Sequence, residues 1–327
     1  MSRFDLPIVT LLYTLQPEGE IAFGPQAGAQ LRGGLWEALR SFACTDPLAA
    51  TLLVKGAHSY HCPMCRLMAL EEPEGARGQN PVRPFALSLY PPPPPDKSLS
   101  FTRPFQVRVT LFGEGGESAP YIHQGMYQMG RRGVGYRRGR FTVMAIEAVH
   151  PFTGERQALL DSKGQVSPPS LVLRASDVEM YVATLPPDAL TLDFLTPTML
   201  TEGGKTLSTP TPTALIGRLL ERCQHFESTY CSASSSLDWR EVHTTLKAQA
   251  QNLSCETSMR WVRVESGSNR IMQSVSMSGF VGRAVLRGEL APFIPWLVWG
   301  SLLGVGKNVV KGCGQYRLVT GGEHGAS

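Results

Sequence analysis

No apolar run in this chain is long enough to span a membrane. The longest, Leu290 to Gly306, is broken by Pro292 and Pro295. A secretory leader is not expected, because MSRFDLPIVTLLY has too short an apolar stretch and no small-residue cleavage site. Seven cysteines, an odd number, without an export signal argue against a disulfide framework. Reduced thiols and a cytoplasmic setting are expected instead, with no membrane partner. Charge is modest, at 18% Asp, Glu, Lys and Arg and a net +4 over 327 residues, a length that suits two globular domains. Acid is what two stretches lack. GRRGVGYRRGR, Gly130 to Arg140, holds five arginines and no carboxylate. Ser258 to Gly322 holds eight Lys or Arg against two acids. Basic clusters on a mildly charged whole point to a polyanion-binding face.

A complete nucleotide P-loop is also missing. LGVGKNVVKGCGQYRL, Leu303 to Leu318, contains a GK pair, Gly306 and Lys307. The pattern G-x-x-x-x-G-K-[ST] would need glycine at Ser301 and a magnesium-binding hydroxyl at Asn308. The preceding LAPFIPWLVWGSLL, with two prolines, suits a helix rather than a central strand. No nucleotide cofactor is expected. What is present is G-V-G-x₅-G-C-G, with Gly304, Gly306, Gly312 and Gly314. Glycines let a backbone approach a ligand closely, and successive N–H groups make an anion nest. With Asn308, Lys307 and Lys311 in the same turn and no acid, the stretch reads as a cradle for a chain of phosphates.

Periodicity gives the layout. PIVTLLYTLQ (7–16) is β-rich, and Gln30 to Ala43 puts Leu31, Leu35, Leu39 and Phe42 on one helical face. An irregular stretch with HSYHCPMC and YPPPPPD follows. Then come a strand at 105–113, a short helix in SAPYIHQGMYQMG and a strand at 138–151. After a Gly/Pro/Ser-rich boundary at 161–170, the second half predicts a strand at 190–200 and an amphipathic helix at 213–230. A hairpin from MRWVRVES and QSVSMSGFVGRAVLRGE, a buried helix and a last strand at CGQYRLVT complete it. That order, β-α-β-β-α-β, is ferredoxin-like.

The glycine stretch before a terminal strand resembles the signature of the RAMP RNA-binding proteins of CRISPR systems. More closely, the chain resembles the CRISPR pre-crRNA processing endoribonuclease family. The likeness runs through LRGGLWEAL, HCPMC, RPFALSLYPP, GRRGVGYRRGRFTVMAIEAVHPFTGE, LDFLTPTMLTEGG and SGFVGRAVLRGELAPFIPWLVWGSLLGVGKNVVKGCGQYRL. The resemblance implies an α+β fold of two tandem ferredoxin-like (RRM-like) domains, residues 1–165 and 166–327. It implies a metal-independent, cofactor-free ribonuclease that cuts CRISPR repeat RNA into guide units. Its expected partners are repeat RNA, crRNA and other CRISPR effector subunits. A non-cleaving RNA-binding subunit of the same fold is the alternative.

Metal-free RNA cleavage uses the ribose 2′-OH as nucleophile, and needs a base, an acid for the 5′-oxygen and cations for the phosphorane. Histidine suits the proton transfers, and Lys, Arg or N–H groups suit the charge. The family resemblance points to His58, then His61, in KGAHSYHCPMC, with Tyr60 and Lys55 as helpers; His123 is an outside candidate. Many relatives carry a histidine just before the first glycine of the loop, where this chain has Leu303. Cys62-x-x-Cys65, with Cys44 upstream and His58 or His61 close by, has some zinc-site character, but lacks a second close ligand pair, so no metal is expected. Arg131, Arg132, Arg137, Arg138 and Arg140, with Tyr136, suit phosphate pairing and base stacking. Arg260, Arg263, Arg270, Arg283 and Arg287 lie on or near the predicted hairpin. Alternation puts Arg283 and Arg287 on one strand face.

Overall fold

The structure is a computed structural model and describes residues 4–44, 46, 58, 61–69, 82–231, 237–268 and 273–319. The first half begins with β1 (Ile8–Pro17), β2 (Ile21–Phe23) and α1 (Ala27–Arg40). It continues through α2 (Pro63–Ala69), β3 (Phe85–Tyr90), β4 (Leu99–Phe101) and β5 (Phe105–Phe112). It closes with α3 (Ala119–Arg132), β6 (Phe141–Val149) and β7 (Arg156–Ala158). The main sheet is antiparallel, in the order β3–β5–β1–β6–β7. With α1 and α3 as crossovers this is a ferredoxin-like unit. Leu31, Leu35 and Leu39 are fully buried against that sheet, as their spacing predicts. Phe42 is not: the helix stops at Arg40, and the ring is 42% exposed. β3 lies inside the stretch read as irregular. It is the edge strand that completes the unit, and the prolines on either side hide its short alternation.

The second half runs α4 (Ala175–Val182), β8 (Ala189–Thr198), β9 (Thr201–Glu202), β10 (Lys205–Thr206), α5 (Pro212–Tyr230) and α6 (Trp239–Ala250). β11 (Ser254–Val262), β12 (Glu265–Ser268), β13 (Gln273–Ser276), β14 (Gly279–Arg287), α7 (Ile294–Leu303) and β15 (Tyr316–Val319) follow. The sheet order β11–β14–β8–β15 repeats the same topology. β12 and β13 pair beyond β11 and β14, so the predicted hairpin is one long ribbon. Thr211 caps α5, its Oγ1 accepting from the Ala214 amide at 3.2 Å. Leu215, Ile216, Leu219, Leu220, Cys223 and Phe226 are all buried on that helix. At ~2 kcal/mol per side chain, their burial contributes on the order of 10 kcal/mol before chain entropy is subtracted.

The two halves interlock. Phe4, Leu6, Ile8 and Phe112 belong to the second core, and Ile8 exchanges backbone hydrogen bonds with Leu173 at 3.0 and 2.9 Å. Thr10, Leu12 and Arg108 from the first sheet share a cleft of about 340 Å³ with Ser301, Gln315 and Arg317. Arg108 donates across it to Gln315, and burial pulls the guanidinium pKa down. No helix among the described residues is long and apolar enough to cross a membrane.

Candidate nucleic-acid interface

The glycine turn starts where α7 ends, at a helix C-terminus whose carbonyls disfavour anions. A P-loop has the opposite arrangement, with phosphate on a helix N-terminus. Gly304, Gly306, Gly312 and Gly314 all have positive φ, from 70° to 83°, and Asn308 joins them at 61°. Their smallness serves internal packing. A Cβ on Gly314 would sit 2.0 Å from the Val305 oxygen, and one on Gly306 would sit 2.4 Å from the Met199 oxygen. One on Gly312 would sit 2.9 Å from Ser88 Cβ. Gly304, Gly312 and Gly314 are buried, with amides bonded to the oxygens of Gly300, Val309 and Pro197 at 2.8, 2.8 and 3.1 Å. This corrects the expected bare cradle: three of the four glycines fold inward and present no N–H to a ligand. The outward part is Gly306 to Asn308. Lys307 is exposed, and the Asn308 side chain ties the turn to the ribbon through the Ser276 oxygen at 3.0 Å. Lys311 is half-buried, and burial together with Arg32 holds its ammonium below the usual lysine pKa.

The turn packs on α1. A Cβ on Gly28 would fall 1.8 Å from the Lys311 oxygen, so the two backbones touch. Two residues earlier, Gln26 Nε2 donates to the Tyr136 hydroxyl at 3.2 Å. The two basic clusters, far apart in sequence, therefore flank one helical turn. The arginine cluster closes as a tight hairpin, with Val134 and Gly139 exchanging hydrogen bonds at 2.9 and 3.0 Å. Arg137 and Arg138 sit at its tip with φ of 61° and 49°. Tyr136 is 48% exposed. Arg138 is committed to Glu37 at 2.9 Å, and Arg132 donates to the Glu37 carbonyl at 3.2 Å. Arg131, Arg137 and Arg140 are exposed and have no ion pair among the described residues. On the second sheet, Arg283 and Arg287 share the open face, and Arg283 stands between Ser258 and Asp193. Arg287 lies 3.7 Å from Glu256, Arg260 pairs with Asp96 at 3.1 Å, and Arg317 pairs with Asp193 at 3.0 Å. Arg270 lies outside the described residues.

The histidines separate clearly. His58 Nε2 lies 3.4 Å from Cys65 Sγ and 3.7 Å from Cys44 Sγ, so its ring is turned into a thiol cluster. Of the two nearby histidines it is His58, with Cys44, that joins Cys62 and Cys65 in one group. His61 is exposed at the entry to α2; Tyr60 and Lys55 lie outside the described residues. His123 is buried with Nδ1 2.7 Å from the Tyr13 hydroxyl, and burial lowers its pKa to about 4, so it is a neutral core residue. His225, on the polar side of α5, lines a pocket of about 180 Å³ with Arg218, Gly306 and Lys307. No sequence signal joins His225 to Lys307; only the packing of α5 under the turn does. Arg32, which reaches the Met68 oxygen at 2.9 Å and links α1 to α2, was equally silent.

An N-terminal-domain family matches residues 6–171, and the CRISPR-associated endoribonuclease Cas6 family matches residues 192–316. Residues 192–316 thus belong to the CRISPR-associated endoribonuclease Cas6 family. That family is one of endoribonucleases that process CRISPR RNA. Its fold is that of solved relatives. A Cas6 product complex superposes with a TM-score of 0.55 at 17% identity, over 95% of this chain and 100% of that one. Thermus thermophilus Cas6 gives 0.53 at 15%, over 96% and 99%. A partial Cas6-RT-Cas1–Cas2 complex gives 0.57 at 12%, over 98% of this chain and 47% of that one. No curated protein sequence matches significantly.

Proposed function

We propose that this RAMP-type protein is a metal-independent endoribonuclease that cuts CRISPR repeat RNA by attack of the 2′-OH. Its products would carry 5′-OH and 2′,3′-cyclic phosphate or 3′-phosphate ends. The observation that carries the reading is the meeting of both acid-poor clusters at the first turn of α1, with Tyr136 on one side and Lys311 on the other. A polynucleotide lying there takes phosphate contacts from Lys307, Lys311, Arg131, Arg137 and Arg140 and stacks a base on Tyr136. Arg283 and Arg287 extend the track along the second sheet. Gly306 and Asn308 shape the exposed part of the turn, while Gly304, Gly312 and Gly314 support it from beneath.

His61 moves the proton in this reading, because its side chain is exposed and is not one of the four grouped ligands. Tyr60 and Lys55 are its proposed helpers. The working division stays at 1–165 and 166–327, with the RNA crossing from one unit to the other and crRNA retained for other CRISPR subunits. A second reading, a non-cleaving RNA-binding subunit, is favoured by one observation: Leu303, where many relatives carry histidine, is 1% exposed. Mixing wild type, His61→Ala and His225→Ala with a repeat RNA separates them. The first reading expects cutting by wild type and a loss of ~10²–10⁴-fold in His61→Ala with binding kept. Binding without any cutting by wild type selects the second. No preference for repeat RNA over a scrambled RNA removes both.

A further inference from the structure

We propose that Cys44, His58, Cys62 and Cys65 hold one zinc ion in a closed, structural site that clips α2 to the end of α1. The four ligand atoms all lie within 4.8 Å of one another. Tetrahedral zinc, with Zn–S about 2.3 Å and Zn–N about 2.0 Å, sets its ligand atoms roughly 3.5–3.8 Å apart. The distances here are 4.0 Å for Cys44 Sγ to Cys65 Sγ, and 3.4 and 3.7 Å from His58 Nε2 to Cys65 and Cys44. A two-iron cluster separates its ligand pairs by the width of the cluster, so this spacing fits one ion. Three thiolates and an imidazole are soft and borderline donors, the set that selects zinc over magnesium or calcium.

The backbone is arranged for it. The Cys62 amide bonds to the His58 oxygen at 2.9 Å, and the Arg66 amide bonds to the Cys62 oxygen at 2.9 Å. His58, Cys62 and Cys65 are spaced i, i+4 and i+7, and these two bonds hold Cys62 between the other two. Cys44 comes from the other side, just past α1, where the Ala43 oxygen lies 3.7 Å from Cys62 Sγ. Cys62 and Cys65 are buried. With all four positions filled by protein, no water or phosphate can bind the ion, so it takes no part in RNA chemistry. Ligation also occupies the His58 nitrogen that a base would need. The zinc site stands whether or not the chain cuts RNA.

The test is metal content of the untagged full chain, with cobalt replacing zinc as a spectroscopic probe. About one zinc per chain is expected, and cobalt loading should give thiolate charge-transfer absorbance with intense tetrahedral visible bands. Cys62→Ser should lose the metal. His58→Cys should keep it as an all-thiolate site, and Cys313→Ser, far from the cluster, should leave it unchanged. Folded wild type that carries no zinc and gives no cobalt spectrum overturns the proposal. So does zinc that persists in Cys62→Ser, or a Cys44–Cys65 disulfide in protein purified under reducing conditions. The wild-type spectrum decides the matter even where a variant fails to fold.

Discussion

Substituting Gly314 by alanine isolates what the glycine turn is for. Its φ of 72° costs a non-glycine residue ~1–2 kcal/mol. The new Cβ would also lie 2.0 Å from the Val305 oxygen, a backbone atom that no rotamer change can move aside. Forced overpacking of that kind costs ~1–3 kcal/mol. The sum, about 3 kcal/mol, is a large share of a stability of ~5–15 kcal/mol, and should lower Tm by roughly 6–12 °C. Thermal unfolding followed by circular dichroism, with RNA binding by fluorescence polarisation below the transition, checks it. Lys307→Ala is the partner experiment. That exposed side chain should leave Tm unchanged, weaken RNA binding and reduce the salt slope of log K by ~0.7. A Gly314→Ala protein with wild-type Tm but lost RNA capture would refute the packing argument and restore the open cradle.

Other outcomes follow from the same geometry. Arg283→Ala with Arg287→Ala should weaken binding across all RNA sequences and lower the salt slope by ~1.4, read from a titration series in KCl. His58→Cys should retain RNA cutting while His61→Ala loses it, measured on labelled repeat RNA; the reverse pattern makes His58 the base. His123 gives a pH effect on stability. Its folded pKa is about 4, against an ordinary 6.5, so between these values the unfolded chain takes up a proton that the native chain does not. Stability is thus fully present above about pH 6.5 and falls by ~3 kcal/mol towards pH 4. Urea midpoints should show a shallower acid limb in His123→Phe than in wild type.

Much of the fold is legible in the residues. The apolar spacing of α5, the alternation of β5 and the repeat of β-α-β-β-α-β in the second half all give their elements directly. α6 was missed because WREVHTTLKAQA is too polar to announce a buried face, although Asp238 caps it, accepting from Arg240 and Glu241 at 3.0 and 3.1 Å. The site is less legible. Positive φ at the four glycines follows from their identity, but which way the turn faces depends on residues distant in sequence: the Pro197 oxygen takes the Gly314 amide, and the Met199 oxygen crowds Gly306. The same limit applies to His58. Its distance from Cys44 is set by how the chain returns to α1, which spacing alone does not encode.

The most direct measurement of the central claim is end-group analysis after the purified protein meets a repeat-containing RNA with no free divalent ion. A discrete cut leaving a 5′-OH and a 2′,3′-cyclic or 3′-phosphate is the predicted result. No cut at all, or a cut that needs added magnesium and leaves a 5′-phosphate, would contradict it.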